Sequence, residues 1–146
     1  MKKIISIIFI SILFISCSNQ EEKSPNIIVI ISDDQGYADV GFHGSKEIRT
    51  PNIDRIANNG VIFSDGYVSY AVCSPSRAGL ITGRYQNRFG YSRNILLTPK
   101  DSTMGLPLSE QTLPDVLKEA NYKTKAIGKW HLGAHESLVP QRRGFD

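Results

Sequence analysis

The sequence predicts an α/β fold with a mostly parallel central sheet, and three observations support this prediction. The segment Asn26–Ile31 is a continuous β-branched run after its first residue, as in a parallel strand that is buried on both faces. Predicted strands and helices then alternate along the chain, which is typical of layered α/β proteins. Polar side chains capable of chemistry follow two of the predicted strands directly, at the edge where open α/β sheets bind ligands.

Length and composition indicate a single globular domain. The chain has 146 residues, of which 40% are hydrophobic and 21% are charged. Its net charge is +3, and it has no dense block of Lys and Arg beyond the pair Arg142-Arg143. The charge pattern therefore does not suggest a nucleic-acid partner.

The first residues are predicted to be a targeting signal. Lys2-Lys3 provides a positive start, and the apolar run Ile4–Ile15 is interrupted only by two serines. That run is too short to span a bilayer comfortably but suits the hydrophobic region of a secretory signal. We therefore assign residues 1–16 as a signal peptide.

This segment resembles a bacterial lipoprotein signal, in which cleavage before Cys17 precedes lipidation of that cysteine. Phe14 departs from the leucine usual at its position, and a plain secretory signal with an incidental cysteine is the alternative. A lipid on Cys17 would anchor the protein to the membrane in the cell envelope, in the periplasm or at the outer-membrane surface, with residues 17–24 as a tether. The only other cysteine, Cys73, would then have no disulfide partner within the chain.

Asp33-Asp34 follows directly after the first predicted strand. A solvated turn is one interpretation, because Asp and Gly favour turns. The other is a metal site, because two like charges at one place need a counter-charge such as Ca²⁺ or Mg²⁺.

The next predicted elements are a helix and a short strand. Thr50 is expected to cap a helix that begins at Pro51 and stops at Gly60. Its expected buried face carries three apolar residues: Ile53, Ile56 and Ala57. Val61–Phe63 is predicted to be a strand.

A second helix is predicted around a cysteine. Ser74 can cap it, Pro75 suits its first position and Gly83 suits its end, so Cys73 lies at or just before its N-terminus. Unpaired N–H groups at that end favour a bound anion, and Arg77 projects a guanidinium toward it. An inert buried cysteine before an ordinary helix is the alternative.

The last predicted elements follow a loop over residues 85–107, of the kind that shapes substrate access. Thr112 is expected to cap a third helix, with Asp115 three residues on and a core face of Val116, Leu117 and Ala120. The strand Tyr122–Ile127 should follow.

Two titratable side chains come just after that last strand. In extended chain Lys129 and His131 would point to the same side. A surface lysine and a packed core histidine are the alternatives.

The segment Cys73–Arg77 resembles the signature of the type I sulfatases, in which the cysteine is oxidised after synthesis to formylglycine. Three further segments match that family in its order: Asp33-Asp34, Gly128–Gly133 and Gly144–Asp146. The resemblance implies an alkaline-phosphatase-like α/β sandwich. Residues 25–146 would be the N-terminal part of its catalytic domain, which in this family continues well beyond this length and supplies further metal ligands.

The resemblance also implies a mechanism for sulfate-ester hydrolysis. Formylglycine at Cys73 is hydrated, and one hydroxyl attacks the sulfur while Lys129 binds sulfate oxygens. The alcohol leaves, and the sulfate stays on the enzyme as a hemiester. Arg77 holds the modified residue in place. His131 then helps to deprotonate the second hydroxyl, so that sulfate is expelled and the aldehyde returns.

The cofactor and partners follow from the same resemblance. Ca²⁺, with Mg²⁺ or Mn²⁺ as alternatives, would be held by Asp33, Asp34 and the modified Cys73. The substrate would be a sulfated carbohydrate, and the maturation enzyme that generates formylglycine would be a second partner. The 146 residues alone are expected to be inactive. Two other functions stay open: a phosphonate or phosphate monoester hydrolase of the same fold, and a non-catalytic glycan-binding lipoprotein.

Overall fold

The computed structural model describes residues 24–146. The predicted signal peptide, Cys17 and most of the predicted tether lie outside the described residues. The chain divides after Ser32 into two units, and the helices and the site all belong to the second, Asp33–Asp146. Within the part that the structure describes, no helix is long and apolar enough to cross a membrane.

Residues 24–146 form three α-helices, as the sequence predicts: α1 (Pro51–Asn58), α2 (Cys73–Thr82) and α3 (Leu113–Glu119). Each has a proline in its first turn, where the missing N–H leaves no hydrogen bond unmade. The described residues also form four short 3-10 helices: two before α1 (Tyr37–Asp39 and Gly41–His43), one between α2 and α3 (Gln86–Phe89) and one after α3 (Pro140–Arg142).

The predicted strands differ from the structure. Asn26–Ile31, Val61–Phe63 and Tyr122–Ile127 form no β-ladder, and residues 24–146 contain only an isolated antiparallel bridge between Gly105 and Gly133. A strand exists only when a neighbouring strand accepts and donates its backbone hydrogen bonds. No such neighbour is formed by the described residues, so the predicted parallel sheet is not seen in them.

The hydrophobic core of the second unit lies against α2. Ala78 of that helix is fully buried with Tyr91, Leu106 and Leu132. Four partly buried side chains pack around this cluster: Ile81, Phe89, Ile95 and Trp130. The core therefore packs Leu132 and Trp130 against α2. This packing fixes the position of the segment that carries Lys129 and His131.

Two predicted core faces are exposed instead. Ile53 and Ile56 of α1 face solvent, and so do Val116 of α3 and Ala120, which caps the end of that helix. The apolar stripe of an amphipathic helix is buried only where another element packs on it. The prediction of burial is therefore wrong for these four residues, whereas Ala57 and Leu117 of the same faces are partly buried.

The predicted start of α3 is confirmed, and its capping residue also contacts the backbone of Arg143. Asp115 Oδ2 accepts from Thr112 N at 3.0 Å and lies 2.6 Å from Thr112 Oγ1, which closes a capping box. The same hydroxyl lies 3.0 Å from the carbonyl oxygen of Arg143. The buried Arg143 guanidinium in turn donates to the carbonyl of Glu110 at 2.8 Å.

Candidate active site

Cys73 is the first residue of α2, as the sequence predicts, and Gly83 ends the helix in the left-handed conformation, with φ of 61°. The predicted cap is wrong. Val72 occupies the N-cap position, so Ser74 and Pro75 are the second and third residues of the helix. The Ser74 side chain makes other contacts, described below, and is not free to cap.

The Cys73 thiol is half-buried and lies among charged groups. Its Sγ accepts from Lys129 Nζ at 3.3 Å and lies 3.9 Å from Asp34 Oδ1. Asp34 itself has a positive φ of 55°, a left-handed conformation that Asp tolerates better than most residues. Three separate segments of the chain thus meet at this sulfur.

Lys129 and Asp33 form an ion pair beside the thiol. Lys129 Nζ lies 2.9 Å from both carboxylate oxygens of Asp33. The hydrogen bond from Lys129, with a further one from Arg77, holds the pKa of Asp33 below its usual value. The hydrogen bonds to Asp33 and then to Cys73 raise the pKa of Lys129. Both groups are therefore charged at neutral pH.

Arg77 reaches the same carboxylate and a backbone oxygen. Its Nη2 lies 3.2 Å from Asp33 Oδ1, and its Nη1 donates to the carbonyl of Lys129 at 2.7 Å. The side chain is only 13% exposed. In the described residues its hydrogen bonds therefore go to the groups beside Cys73 rather than to Cys73 itself.

His131 lies close by but is oriented differently from the prediction. Its φ of 59° is left-handed, so the extended chain assumed between Lys129 and His131 does not hold. His131 Nδ1 is buried and has no hydrogen-bond partner among the described residues. Both residues nevertheless line one cavity of about 420 Å³. Its other lining residues are Leu97, Trp130, Gly133 and Ala134.

The residues predicted to hold a metal lie together. Asp33, Asp34 and Cys73 each offer a ligand atom, and these atoms are all within 4.8 Å of one another. Two carboxylates are the donors that a hard divalent cation such as Ca²⁺ prefers. The donor set therefore fits such a cation in type, with Lys129 at present balancing the charge of Asp33.

Sequence reasoning missed the contacts that Ser74, Tyr91 and Asn94 make in this region. The fully buried Ser74 hydroxyl lies 2.6 Å from the carbonyl oxygen of His131 and 2.7 Å from the Tyr91 hydroxyl. The Ser74 N–H donates to Asn94 Oδ1 at 2.9 Å. Tyr91 and Asn94 belong to the predicted loop, whose lack of periodicity carries no signal for such contacts.

The site thus combines a thiol at a helix N-terminus, an ammonium group and a pair of carboxylates. Comparison with known proteins identifies the class. The family model described as Sulfatase matches residues 25–146. The chain belongs to the sulfatase family.

Individual relatives agree with this assignment. N-acetylgalactosamine-6-sulfatase of Homo sapiens is 44% identical over 85% of this chain and 25% of its own length. Arylsulfatase G of Homo sapiens is 46% identical over 85% of this chain and 23% of its own length. The chain therefore spans about a quarter of the length of these relatives.

A solved structure with a similar fold is that of Ps i-CgsB. It is 49% identical to this chain, with a TM-score of 0.77, over 85% of this chain and 27% of the other. The same protein has been crystallised in complex with k-i-k-neocarrahexaose. The likeness places the chain in the fold family of the sulfatases.

Proposed function

We propose that the protein hydrolyses sulfate esters of carbohydrates, with Cys73 converted to formylglycine and a divalent cation beside it. The observation that supports this most directly is the convergence on Cys73 of Lys129 and Asp34, from segments far apart in the chain. Membership of the sulfatase family supports the reaction class. The sandwich fold with a parallel sheet belongs to the same proposal.

Two basic side chains have distinct tasks in this proposal. The Lys129 ammonium, 3.3 Å from Cys73 Sγ, is placed to bind a sulfate oxygen when the ester sulfur approaches residue 73. Arg77 holds Asp33 and the Lys129 carbonyl, so it keeps that ammonium in place. Arg77 thereby acts on the reaction through the position of its neighbours.

Asp33 and Asp34 would hold the cation, together with the side chain of residue 73. When bound, the cation would offset sulfate charge and favour the ionised nucleophile. Lys129 would then pair with the substrate rather than with Asp33. Removal of divalent cations with EDTA is expected to abolish turnover, and added Ca²⁺ is expected to restore it.

His131 is proposed to accept a proton from residue 73 in the step that releases sulfate. His131 is among the residues that line the same cavity as Lys129, and its buried Nδ1 has no partner among the described residues. An imidazole is the side chain best suited to accept a proton near neutral pH, which supports this role for a histidine beside the cavity.

The proposed substrate class is a sulfated glycan. The cavity beside Lys129 is large enough for a sugar residue and has an apolar wall of Leu97, Trp130 and Ala134. Two of the relatives named above point the same way, because one is named for a sulfated amino sugar and the other was crystallised with an oligosaccharide.

The test uses the full-length protein expressed with a formylglycine-generating enzyme. Mass spectrometry of the peptide that spans Cys73 should show aldehyde in place of thiol, and a hydrazide probe should label that peptide. Release of inorganic sulfate from sulfated oligosaccharides should accompany the conversion. Cys73→Ala should abolish both labelling and sulfate release.

A panel of phosphate and phosphonate monoesters at equal concentration tests the other hydrolase function. Faster cleavage of those esters than of any sulfate ester would overturn the proposal. Sulfate release by protein whose Cys73 is entirely thiol would overturn the formylglycine mechanism.

We also propose that a lipid on Cys17 anchors the protein in the cell envelope. The short apolar run that ends at this cysteine, followed by a polar tether, motivates the proposal. A fatty-acid analogue fed to cells should label the protein, and Cys17→Ala should remove the label. Label that persists in Cys17→Ala would contradict the lipid anchor.

A further inference from the structure

One of the contacts between α2 and the segment Lys129–His131 is made by Ser74, a residue that has no role in the proposed reaction. Ser74 is adjacent to Cys73, fully buried, and 2.6 Å from the carbonyl oxygen of His131. Since a carbonyl can only accept, the single hydroxyl hydrogen of Ser74 must be donated to it.

This assignment decides the direction of the next hydrogen bond. The Tyr91 hydroxyl lies 2.7 Å from Ser74 Oγ, whose hydrogen is already used. Tyr91 must therefore donate to Ser74. Burial raises the pKa of Tyr91, which agrees with a neutral phenol that acts as a donor. The chain of hydrogen bonds runs from Tyr91 to Ser74 to the carbonyl of His131, and each bond strengthens the next.

Side chains of α2 thus donate hydrogen bonds to two carbonyls of the segment Lys129–His131, those of its first and third residues. Arg77 Nη1 donates to that of Lys129 at 2.7 Å, and Ser74 donates to that of His131 at 2.6 Å. Between them the backbone turns into the left-handed conformation at His131, with φ of 59°. A β-carbon makes this conformation unfavourable, so surrounding contacts must hold it.

We propose that Tyr91 and Ser74 are positioning residues, which hold the backbone of His131 and thereby fix the direction of its ring beside the cavity that it shares with Lys129. Neither hydroxyl touches the reacting groups. The inference rests on the proposed function and on the proton transfer assigned there to His131. It predicts that loss of the Tyr91 hydroxyl impairs the release of sulfate more than the release of the alcohol.

Tyr91→Phe is the most informative variant because it removes one oxygen and lies outside the Cys73–Arg77 signature that the maturation enzyme reads. Tyr85→Phe is the matched control, since Tyr85 is an exposed tyrosine of the same loop. Both are made in the full-length protein, with conversion of Cys73 measured by mass spectrometry and melting temperature recorded. Rapid-quench kinetics with an aryl sulfate then follow the phenol and the sulfate separately.

The expected result is that Tyr91→Phe releases its first phenol at the rate of the unaltered protein, while sulfate release falls about tenfold. Ser74→Ala should behave in the same way after correction for conversion, and Ser74→Thr should restore much of the rate. Tyr85→Phe should match the unaltered protein in both steps.

Two outcomes would overturn the inference. One is that Tyr91→Phe matches Tyr85→Phe in both steps, whatever its melting temperature. The other is an equal fall in phenol and sulfate release, which a general loss of structure would produce. If the unaltered protein cleaves no sulfate ester, the proposed function fails instead, so the two failures are distinguishable.

Discussion

Lys129 is the residue that contacts both the Asp33 carboxylate and the Cys73 thiol in the candidate active site. Its ammonium lies 2.9 Å from both oxygens of Asp33 and 3.3 Å from Cys73 Sγ. Without substrate, this ammonium forms an ion pair with a carboxylate. It can form an ion pair with an anionic substrate instead at little cost in free energy, because the side chain needs to move only slightly. The same lysine therefore serves the resting site and the proposed reaction.

We expect Lys129→Met in the full-length protein to lower kcat for sulfate esters by about 10²–10³-fold, as the loss of a donor to transition-state charge does elsewhere. Steady-state kinetics with an aryl sulfate provide the measurement. Lys125→Met, an exposed lysine of the preceding segment, is the control. A Lys129→Met variant within tenfold of that control would show that the ammonium is not part of the reaction.

Among the elements, α3 is stabilised by a cap that also binds the closing segment of the chain. Thr112 contributes its N–H and hydroxyl to Asp115, and the hydroxyl also lies 3.0 Å from the Arg143 carbonyl. The start of the helix and the Arg143–Asp146 segment therefore depend on one buried side chain.

Thr112→Ala should lower the free energy of unfolding by about 1–2 kcal/mol, because the helix loses its cap. Urea denaturation of the full-length protein, monitored by circular dichroism, would measure the change. Thr112→Ser keeps the hydroxyl and should recover most of the stability. If Thr112→Ala and Thr112→Ser had the same free energy of unfolding, the hydroxyl of the cap would contribute nothing to stability.

The docking of the closing segment should also depend on pH. Asp146 Oδ2 accepts from Thr124 N at 2.7 Å, and its Oδ1 lies 3.1 Å from Lys118 Nζ. The hydrogen bond from Thr124 and then that from Lys118 lower the pKa of Asp146. Because the folded-state pKa is depressed, this stabilisation is present above the unfolded pKa of about 4 and is lost as pH falls through the folded value.

Asp146→Asn should therefore be less stable than the unaltered protein at pH 7, and the difference should shrink as the pH is lowered below about 4. Chemical denaturation at a series of pH values would reveal this, with the exposed Glu47→Gln as the control. A difference that stays constant down to the lowest pH would contradict the assigned contacts.

For the molecule as a whole, the amount of exposed apolar surface is the dominant feature. Ile28, Phe63 and Ile127 are 83%, 78% and 89% exposed, and each lies in a segment predicted to be a strand. Relatives of this chain are about four times its length, since it spans 23–25% of those compared above. Large exposed apolar surface of this kind marks a place where other protein surface packs, or where molecules associate.

A polypeptide limited to residues 24–146 should therefore bind the dye ANS strongly, self-associate on size exclusion and release no sulfate from esters. The full-length protein should show weak dye binding under the same conditions. A monomeric fragment with metal-dependent sulfatase activity would contradict this expectation and also the need for further site residues.

The sequence by itself was enough to locate the three helices and to name the groups that meet at the site. Prolines near the first turn, Gly83 at the end of α2 and the Thr112–Asp115 box act within a few residues, so their effects can be predicted locally. The family resemblance named Asp33, Asp34, Cys73 and Lys129, and three of these supply the ligand atoms that lie within 4.8 Å of one another.

Other features depended on the tertiary structure. Lys129 and Asp33 are 96 residues apart, and Ser74 and His131 are 57 apart, so only the path of the chain brings them together. The same reason explains the mistaken cap at Ser74, whose hydroxyl is held by a distant carbonyl. It also explains the unformed strands, because local propensity cannot provide the neighbour that a β-strand needs.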